Sequence, residues 1–489
     1  MFSEEVFVMT VERGITVKKS EDFSEWYTQI ITKAELSDYA GIKGFIVFKP
    51  YSYEIWENIR KFLDGKLKAT GHRNAYFPAL IPESYLKKEA EHFSGFVPEV
   101  FWVTRTGDNE LGEPLAMRPT SETIVCDSYA KWIKSWRDLP VLINLWNSVF
   151  RAEIKATKPF LRTSEFLWQE GHTAHATAED AEKEVRDILE FYRQLVEEQL
   201  AIPVLLGTKT ESEKFVGAIY TMTMEAMMPD GKALQMGTSH FLGQNFSKPF
   251  GIKYLGKDEQ DHYVWQTSWG VATRMIGAMV MVHGDDKGLV LPPRVAPIQV
   301  VIVPIYYKDE DRDKVLVKAK EIGDLLNSKS ISVYLDDRSE YTPGWKFNEW
   351  EMKGVPARIE IGPRDVAADQ VIISRRDTGQ KSAIKMDTLL KETVRILDSV
   401  QVHLYEKAKK QFEESIRTVK SYEEFKQILE TKGGFLRACW CGRSGCETKI
   451  KDDTGATVRA VPLKKEEIFA KCIKCGEKAI DVVYFGRAY

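Results

Sequence analysis

The chain has 489 residues, which at roughly 150 residues per domain predicts about three domains. Hydrophobic residues make up 43% and charged residues 29% of the chain, as in ordinary globular proteins, and no run of 18 apolar residues predicts a membrane span. The 69 basic and 72 acidic residues give a net charge of −3, which argues against a protein that coats DNA but is compatible with a local nucleic-acid site. Residues 1–20 lack an apolar signal segment, so a cytoplasmic location is expected.

The region 20–295 alternates strand-like and helix-like stretches. Strands are expected at 45–48, in a short piece between Pro78 and Pro82, at 141–150 and at 164–172. Helices are expected after Pro50, after Thr177, where Thr177-Ala-Glu-Asp180 resembles a capping box, and over the glycine-spaced apolar stretch 262–282.

Three prolines within 291–297 predict a domain boundary. Beyond it, strands are expected at 298–303, 331–335, 357–361 and 371–375, with helices at 309–327 and 344–353. This alternation predicts a small α/β domain. One long helix over 386–430 is then expected to lead into a cysteine-rich end. The predicted domains are therefore 1–292, 298–400 and 401–489.

Five of the six cysteines lie within residues 439–475, at one end of a large chain without a secretory signal. Cys441-x4-Cys446 and Cys472-x2-Cys475 form two close pairs, a spacing that suits four thiolates around a structural zinc ion. Cys439 is an alternative to Cys441 as a ligand. The other interpretation, unrelated reduced thiols, is disfavoured by the clustering.

A second motif, Gly251-x4-Gly256-Lys257-Asp258, nearly matches a nucleotide-binding P-loop. We reject it because Asp258 stands where a magnesium-binding hydroxyl is needed, and because the intervening residues are apolar.

Residues 150–170 predict two strands joined by a polar loop. Period-two alternation would place Arg151 and Glu153 on one face of the first strand. Arginine binds phosphate bidentately, a carboxylate accepts the amino group of adenine, and Phe166 could stack on the base. The alternative is an exposed hairpin with surface ion pairs.

These residues belong to a wider pattern. Phe150-Arg-Ala-Glu153 resembles motif 2 of the class II aminoacyl-tRNA synthetases, Gly270-Val-Ala-Thr-Arg274 resembles motif 3, and the helix ending near Pro78 resembles motif 1, which mediates dimerisation. The detail resembles the prolyl-tRNA synthetases of the archaeal and eukaryotic type over nearly the whole chain. The matching stretches include Arg118-Pro-Thr-Ser-Glu-Thr123, Phe160-Leu-Arg-Thr163, Glu165-Phe-Leu-Trp-Gln-Glu-Gly-His172, Gly237-Thr-Ser-His240, Val282-His-Gly-Asp285, Leu291-Pro-Pro-Arg294, Pro343-Gly-Trp-Lys346, Ile361-Gly-Pro-Arg364 and Gly486-Arg-Ala-Tyr489.

The resemblance implies an α+β catalytic domain with an antiparallel sheet, an α/β anticodon-binding domain and a small zinc-binding α/β C-terminal domain. It implies a homodimeric, ATP-dependent and magnesium-dependent ligase that forms prolyl-adenylate and transfers proline to its tRNA. No membrane or DNA partner is implied. Only 99 residues separate Glu170 from Gly270, so no editing domain of the bacterial type is expected there.

The resemblance also assigns site residues. Arg151 and Arg274 are expected to be catalytic. The expected ATP-binding residues are Arg151, Glu153, Arg162, Thr163, Phe166, Gln235, Thr238 and Arg274. The sequence departs from the family pattern at Ala272, where relatives often carry a hydroxyl. The expected proline-binding residues are Thr120, Glu122, Arg151, Trp168, Glu170, His172, Phe215 and His240, with Phe96 at the rim.

Each assignment has an ordinary alternative. Thr120 and Glu122 are also good helix N-terminal residues, and the histidines could be structural. Glu349, Lys353 and Arg364 are candidate anticodon readers, although residues 341–376 carry six basic and five acidic residues and show no basic excess typical of RNA binding. Rival functions are a threonyl- or related class II enzyme and an inactive tRNA-binding paralogue. Whether Tyr489 reaches the catalytic domain stays open, though the resemblance suggests that the tail folds back.

Overall fold

The computed structural model describes residues 14–90, 99–154 and 156–489, without the side chains of 88–90. The chain divides into two compact units, and the statements below concern their described residues. The smaller unit comprises Met1–Asp38, Phe48–Glu54 and His283–Gln401, and the larger comprises Tyr39–Val47, Ile55–Val282 and Val402–Tyr489.

The helices of the described residues, in chain order, are α1 Phe23–Lys33, α2 Pro50–Ala69, α3 Glu83–Ala90, α4 Glu122–Trp132, α5 Ala178–Gln194, α6 Ser247–Phe250, α7 Arg274–His283, α8 Asp309–Asn327, α9 Pro343–Met352, α10 Pro363–Ala367, α11 Leu389–Ser415, α12 Tyr422–Thr431 and α13 Ser444–Thr454. None of these helices is both long and apolar enough to cross a bilayer.

The strands of the same residues are β1 Ser37–Tyr39, β2 Ile46–Phe48, β3 Arg73–Asn74, β4 Leu80–Pro82, β5 Trp102–Thr106, β6 Asn109–Met117, β7 Val141–Phe150, β8 Glu165–His175, β9 Leu205–Thr208, β10 Tyr220–Met227, β11 Ala233–Gly243, β12 Lys253–Leu255, β13 Asp261–Tyr263, β14 Trp265–Ala272, β15 Val300–Pro304, β16 Val333–Leu335, β17 Ala357–Ile361, β18 Gln370–Arg375, β19 Lys381–Lys385, β20 Ile416–Thr418, β21 Phe435–Trp440, β22 Ala456–Pro462 and β23 Asp481–Arg487.

The larger unit is organised around an eleven-stranded sheet in the order β20-β21-β23-β22-β9-β10-β11-β14-β8-β7-β3. Its central strands, from β9 to β7, pair antiparallel throughout. The C-terminal strands join this sheet through β22, where Val461 pairs with Thr208 and Pro462 with Gly207. The region 401–489 therefore continues the same sheet as the centre of the chain.

Helix α5, which the sequence predicts, packs against strands β11 and β14 of this sheet. Thr177 is its N-cap and accepts the Asp180 backbone N–H, and the apolar side chains of Val185, Ile188 and Leu189 are buried. Burying each such side chain stabilises the fold by roughly 1.5–3 kcal/mol. Residues 171–269, where no editing domain is expected, supply α5, α6 and strands of the larger unit.

The smaller unit contains a five-stranded sheet in the order β16-β15-β17-β18-β19. β15 pairs parallel with β16 and β17, and β18 and β19 add antiparallel strands at one edge. Every residue of β15 and β17 is buried, as is typical of the central strands of an α/β sheet. The predicted α/β alternation is confirmed, with β19 as an unpredicted addition.

Four sequence predictions are wrong in detail. The stretch 262–282 is not one helix, because Trp265–Ala272 forms the central strand β14 and the helix begins at Arg274. The region 386–430 is interrupted by strand β20. The helix placed near Pro78 ends at Ala69. Strand β7 ends at Phe150, so Arg151 and Glu153 lie in the following turn and not on one strand face.

Candidate active site

The floor of the site is set by the register of β8, β14, β11 and β10. Residues opposite one another in antiparallel strands point to the same face. One row across the floor consists of His172, Ser268, His240 and Thr221. The next row, two residues along each strand, consists of Glu170, Gly270, Thr238 and Thr223. Trp168 and Phe166 continue this face along β8, so Phe166 lies about 13 Å along the strand from Glu170.

A cavity of about 280 Å³ opens above this floor. It brings together eleven of the predicted residues, from segments far apart in the chain. These are Thr120, Glu122, Arg151, Phe166, Trp168, Glu170, Phe215, Gln235, Thr238, His240 and Arg274. Such a concave mixture of aromatic and charged side chains is typical of a small-molecule site.

The acidic part of the cavity is a buried hydrogen-bond network around Glu170. The carboxylate of Glu170 accepts the Ser121 hydroxyl, the Asn147 side-chain amide at 3.0 Å, and His172 Nε2 at 3.0 Å. Thr120 Oγ1 donates to Glu122 Oε2. Ser121, the N-cap of α4, makes no side-chain hydrogen bond to the helix backbone, so its hydroxyl serves the carboxylate instead of the cap.

Burial and charge set the protonation of this network. Burial alone would raise the pKa of Glu170, but the hydrogen bond and charge of His172 outweigh it and lower that pKa below 4.5. Burial would lower the pKa of His172, but Glu170 and Glu122 raise it above 6.5. For His240, burial and the charge of His172 lower the pKa to about 3, so its ring is neutral at physiological pH.

This assignment predicts a pH-dependent stability contribution from His172. Because its folded-state pKa is raised, the contribution is full below 6.5 and is lost as the pH rises through the higher folded value. The contribution of Glu170 is full above 4.5 and is lost as the pH falls through its lowered value. The stability difference between the native chain and His172→Gln should therefore be largest between about pH 4.5 and 6.5, as measured by urea denaturation. A difference independent of pH would contradict the charged pair.

Two arginines line the same cavity. Arg151 Nε donates to the Pro119 carbonyl at 3.0 Å, and its guanidinium carbon lies 5.9 Å from the Phe166 ring centre. Arg274 Nη1 donates to the Gln235 carbonyl at 3.4 Å. Burial and the charge of Arg151 lower the pKa of Arg274 to about 10, so Arg274 stays cationic at neutral pH. This pair can bind a phosphate or a carboxylate.

Several predicted residues do not line the cavity. Of the floor residues, His172 does not line the cavity, and its Nε2 is hydrogen-bonded to Glu170 at 3.0 Å. Glu153 Oε1 lies 3.9 Å from Arg151 Nη1, Arg162 is exposed, and Thr163 Oγ1 donates to the Glu165 carbonyl at 2.6 Å. Phe96 lies outside the described residues.

A buried ionic cluster that the sequence patterns do not predict adjoins the cavity. Glu225, fully buried on β10, accepts Lys209 Nζ at 2.7 Å and Arg459 Nη2 at 2.8 Å. Burial would raise the pKa of Glu225, but the charges of Lys209 and Arg459 lower it below 4.5. Lys209 also lines the cavity, and Arg459 comes from the C-terminal strand β22.

The cysteine-rich end forms a separate cluster. The Sγ atoms of Cys441, Cys446, Cys472 and Cys475 all lie within 4.8 Å of one another. Cys441 Sγ lies 3.6 Å from Cys446 Sγ and 3.7 Å from Cys475 Sγ. Tetrahedral zinc with bonds of about 2.3 Å would separate its sulfur ligands by about 3.8 Å, so these thiols fit the ion. Cys439 instead packs with Ala479 and Val482.

The candidate anticodon readers lie in the smaller unit. Glu349 accepts Arg338 Nη2 at 2.6 Å and lies 3.4 Å from Lys353 Nζ, which also pairs with Glu35 at 2.9 Å. Arg364 is exposed on α10. Glu349 and Lys353 are therefore held by ion pairs within the chain.

The C-terminal tail ends on the same unit as the cavity. Tyr489 donates its hydroxyl to Asp230 at 2.6 Å and its backbone N–H to the Ala233 carbonyl at 3.2 Å. The tail therefore reaches the strand β11, which also carries Gln235.

Comparison with known proteins agrees with this geometry. Residues 101–283 match the class II tRNA synthetase core domain that covers glycine, histidine, proline, serine and threonine enzymes. Residues 299–395 match an anticodon-binding domain, and residues 422–489 match the C-terminal domain of prolyl-tRNA synthetases. The chain is 57% identical over 97% of its length to the proline–tRNA ligase of Cenarchaeum symbiosum, and covers 99% of that protein. The chain belongs to the prolyl-tRNA synthetase family.

Further family members give the same result. The proline–tRNA ligase of Natranaerobius thermophilus is 54% identical over 96% of the chain, and proline–tRNA ligase 2 of Clostridioides difficile is 53% identical over 96%; each is covered to 97%. Family membership confirms the predicted class II catalytic fold, followed by the anticodon-binding and C-terminal domains.

Proposed function

We propose that this prolyl-tRNA synthetase family member activates L-proline with ATP and transfers the prolyl group from prolyl-adenylate to the 3′ end of tRNA(Pro), releasing pyrophosphate and AMP. The observation that carries this function is the cavity itself. It brings the carboxyl groups of Glu122 and Glu170 together with the guanidinium groups of Arg151 and Arg274. The ammonium group of proline complements the carboxylates, and the carboxylate of proline and the phosphates of ATP complement the arginines.

The acidic network is the proposed proline site. Glu122 and Thr120 accept hydrogen bonds from the secondary ammonium, while Glu170, which is hydrogen-bonded to His172, supplies negative charge. Phe215 and His240, whose ring centres lie 4.7 Å apart, form an apolar wall with Trp168 for the pyrrolidine ring. A neutral His240 fits this role because it adds no positive charge beside the ammonium.

The arginines define the proposed ATP site. Arg151 contacts both the α-phosphate and the proline carboxylate, and Phe166 and Arg274 sandwich the adenine. Gln235 and Thr238 face the phosphates. Glu153, Arg162 and Thr163, which lie on the loop beside Arg151, complete the set by contacting ATP from outside the cavity floor.

Catalysis rests on positioning and on stabilisation of charge. The proline carboxylate attacks the α-phosphorus itself, so no protein nucleophile is required, and Arg151 neutralises the charge that develops on the phosphate. Magnesium, which is bound mainly through substrate phosphates and water, would enter with ATP and offset the charge of the leaving pyrophosphate.

We also propose that the four-cysteine cluster holds a structural zinc ion. All four positions are occupied by protein thiols, which is typical of closed, non-catalytic sites. Cys441 is the proposed ligand in preference to Cys439.

Replacement of Cys441 and Cys472 by serine together should release the zinc. We expect zinc content to fall from one ion per chain to near zero, with a stability loss of about 3 kcal/mol, or roughly 5–10 °C in the unfolding midpoint. Elemental analysis and calorimetry measure both quantities. Cys439→Ala is the matched control and should keep its zinc. Full metal retention in the double variant would reject this ligand set.

The remaining assignments extend the same function. We propose a catalytic region 1–292, an anticodon-binding region 298–400 with Glu349, Lys353 and Arg364 as base readers, and a zinc-binding region 401–489. The enzyme is proposed to be a cytoplasmic homodimer of the archaeal and eukaryotic type, on the strength of its motif 1 resemblance and of matches along nearly the whole chain.

Proline-dependent exchange of pyrophosphate into ATP tests the activity. We expect exchange with proline far above that with the other amino acids, followed by charging of tRNA(Pro). Exchange driven by threonine would favour a related synthetase, and no exchange with any amino acid would favour an inactive tRNA-binding paralogue.

A further inference from the structure

One side of the cavity is built by residues 209–215, which we term the pocket wall. Lys209, Glu213, Lys214 and Phe215 of this wall line the cavity. The Phe215 backbone N–H donates to Thr221 Oγ1 at 3.0 Å, and Thr221 Oγ1 lies 2.9 Å from His240 Nδ1. The position of the wall therefore determines where Phe215 and His240 meet.

The pocket wall is held from the C-terminal part of the chain. Ser212 Oγ donates to Glu447 Oε2 at 2.6 Å, across 235 positions of sequence. Lys209 Nζ donates to the Arg459 carbonyl at 3.0 Å, across 250 positions. Both contacts lie within the larger unit, and Glu447 follows Cys446 on α13.

The burial of the Glu447 side chain carries an energetic cost. The residue is only 8% exposed, and within the described part of the chain its Oε1 has no hydrogen-bond partner. A buried polar atom without a partner destabilises the fold, so an apolar side chain would serve packing better. The carboxylate is explained instead by the contact that its other oxygen makes with Ser212.

We propose that Glu447 is a positioning residue for the amino-acid pocket: through Ser212 it holds the pocket wall, and so Phe215 and His240, in the geometry that binds proline. The inference rests on the function proposed above and adds to it. The cysteine-rich C-terminal segment thereby sets the affinity for the amino acid, although none of its described residues lines the cavity.

Steady-state kinetics of pyrophosphate exchange test this role. Glu447→Ala should raise KM for proline roughly five- to tenfold, with kcat and KM for ATP changed less than about twofold, because only the wall of the amino-acid pocket is released. Glu447→Gln should stay close to the native enzyme, since its amide oxygen still accepts the Ser212 hydroxyl. Ser212→Ala should reproduce the effect, and the double variant should add nothing further.

Controls separate positioning from general damage. Asp452 is exposed on the same helix, and Asp452→Ala should leave all constants unchanged. Zinc content and the unfolding midpoint are measured for each variant. An unchanged KM for proline in Ser212→Ala, or equal losses in Glu447→Ala and Glu447→Gln, would overturn the inference. Absence of proline-dependent exchange in the native enzyme would instead reject the proposed function.

Discussion

Arg151→Ala is expected to slow adenylate formation by about 100- to 1,000-fold, measured as kcat/KM for proline-dependent pyrophosphate exchange. The reason is that the proposed reaction uses no protein nucleophile and depends on neutralising charge at the α-phosphate. Arg151 lines the cavity, and its Nε donates to the Pro119 carbonyl at 3.0 Å, which orients the guanidinium at the cavity.

Two further variants sharpen this test. Arg151→Lys keeps the charge but not the planar fork, so it should recover only part of the loss. Arg137→Ala removes an exposed arginine that stacks on Trp136 and should leave the rate unchanged. Near-native exchange in Arg151→Ala would remove this residue from the active site.

Glu225→Ala is expected to destabilise the larger unit by about 3–5 kcal/mol. The substitution leaves Lys209 and Arg459 buried without the carboxylate that each contacts within 3 Å. This loss of stability is measured as a lower midpoint of urea denaturation.

An exposed ion pair serves as the comparison. Glu110, 76% exposed at the side chain, pairs with Arg105 at 3.1 Å, and Glu110→Ala should cost less than about 1 kcal/mol. Equal effects of the two substitutions would show that burial adds nothing to the Glu225 cluster.

The elements that the sequence predicted well show a clear hydrophobic periodicity. Helix α5 shows apolar residues on one face and a capping threonine, and both features are local. Strand β14 was mistaken for helix because five of its eight residues are buried, so period-two alternation is largely absent. A short apolar run of this kind does not distinguish a central strand from a helix.

The break in the long C-terminal helix has a non-local cause. Residues Ile416–Thr418 pair in parallel with 435–437 of β21, and this partner is invisible in the local pattern. Propensity within 386–430 therefore favours continuation of the helix, while sheet pairing ends it.

The residues of the candidate site also fall into two groups, those predicted by a local motif and those that only the fold brings together. Residues within motifs, such as Arg151 and Arg274, are predicted from short stretches of sequence, and both line the cavity. The Lys209–Glu225–Arg459 cluster was missed because its members lie up to 250 positions apart. A partial signal was available: Thr221, Thr223 and Glu225 alternate with buried apolar residues along β10, which places three polar side chains on one face.

The pairing of β22 with β9 determines whether the C-terminal part of the chain can be removed without exposing a sheet edge. A chain truncated before residue 416 would lose β20 to β23 and leave β9 as a sheet edge with unsatisfied backbone groups. Such edges invite pairing with other molecules. The catalytic portion is thus not an independent module, and a shortened form would need a substitute strand, or charged edge residues, to remain monodisperse.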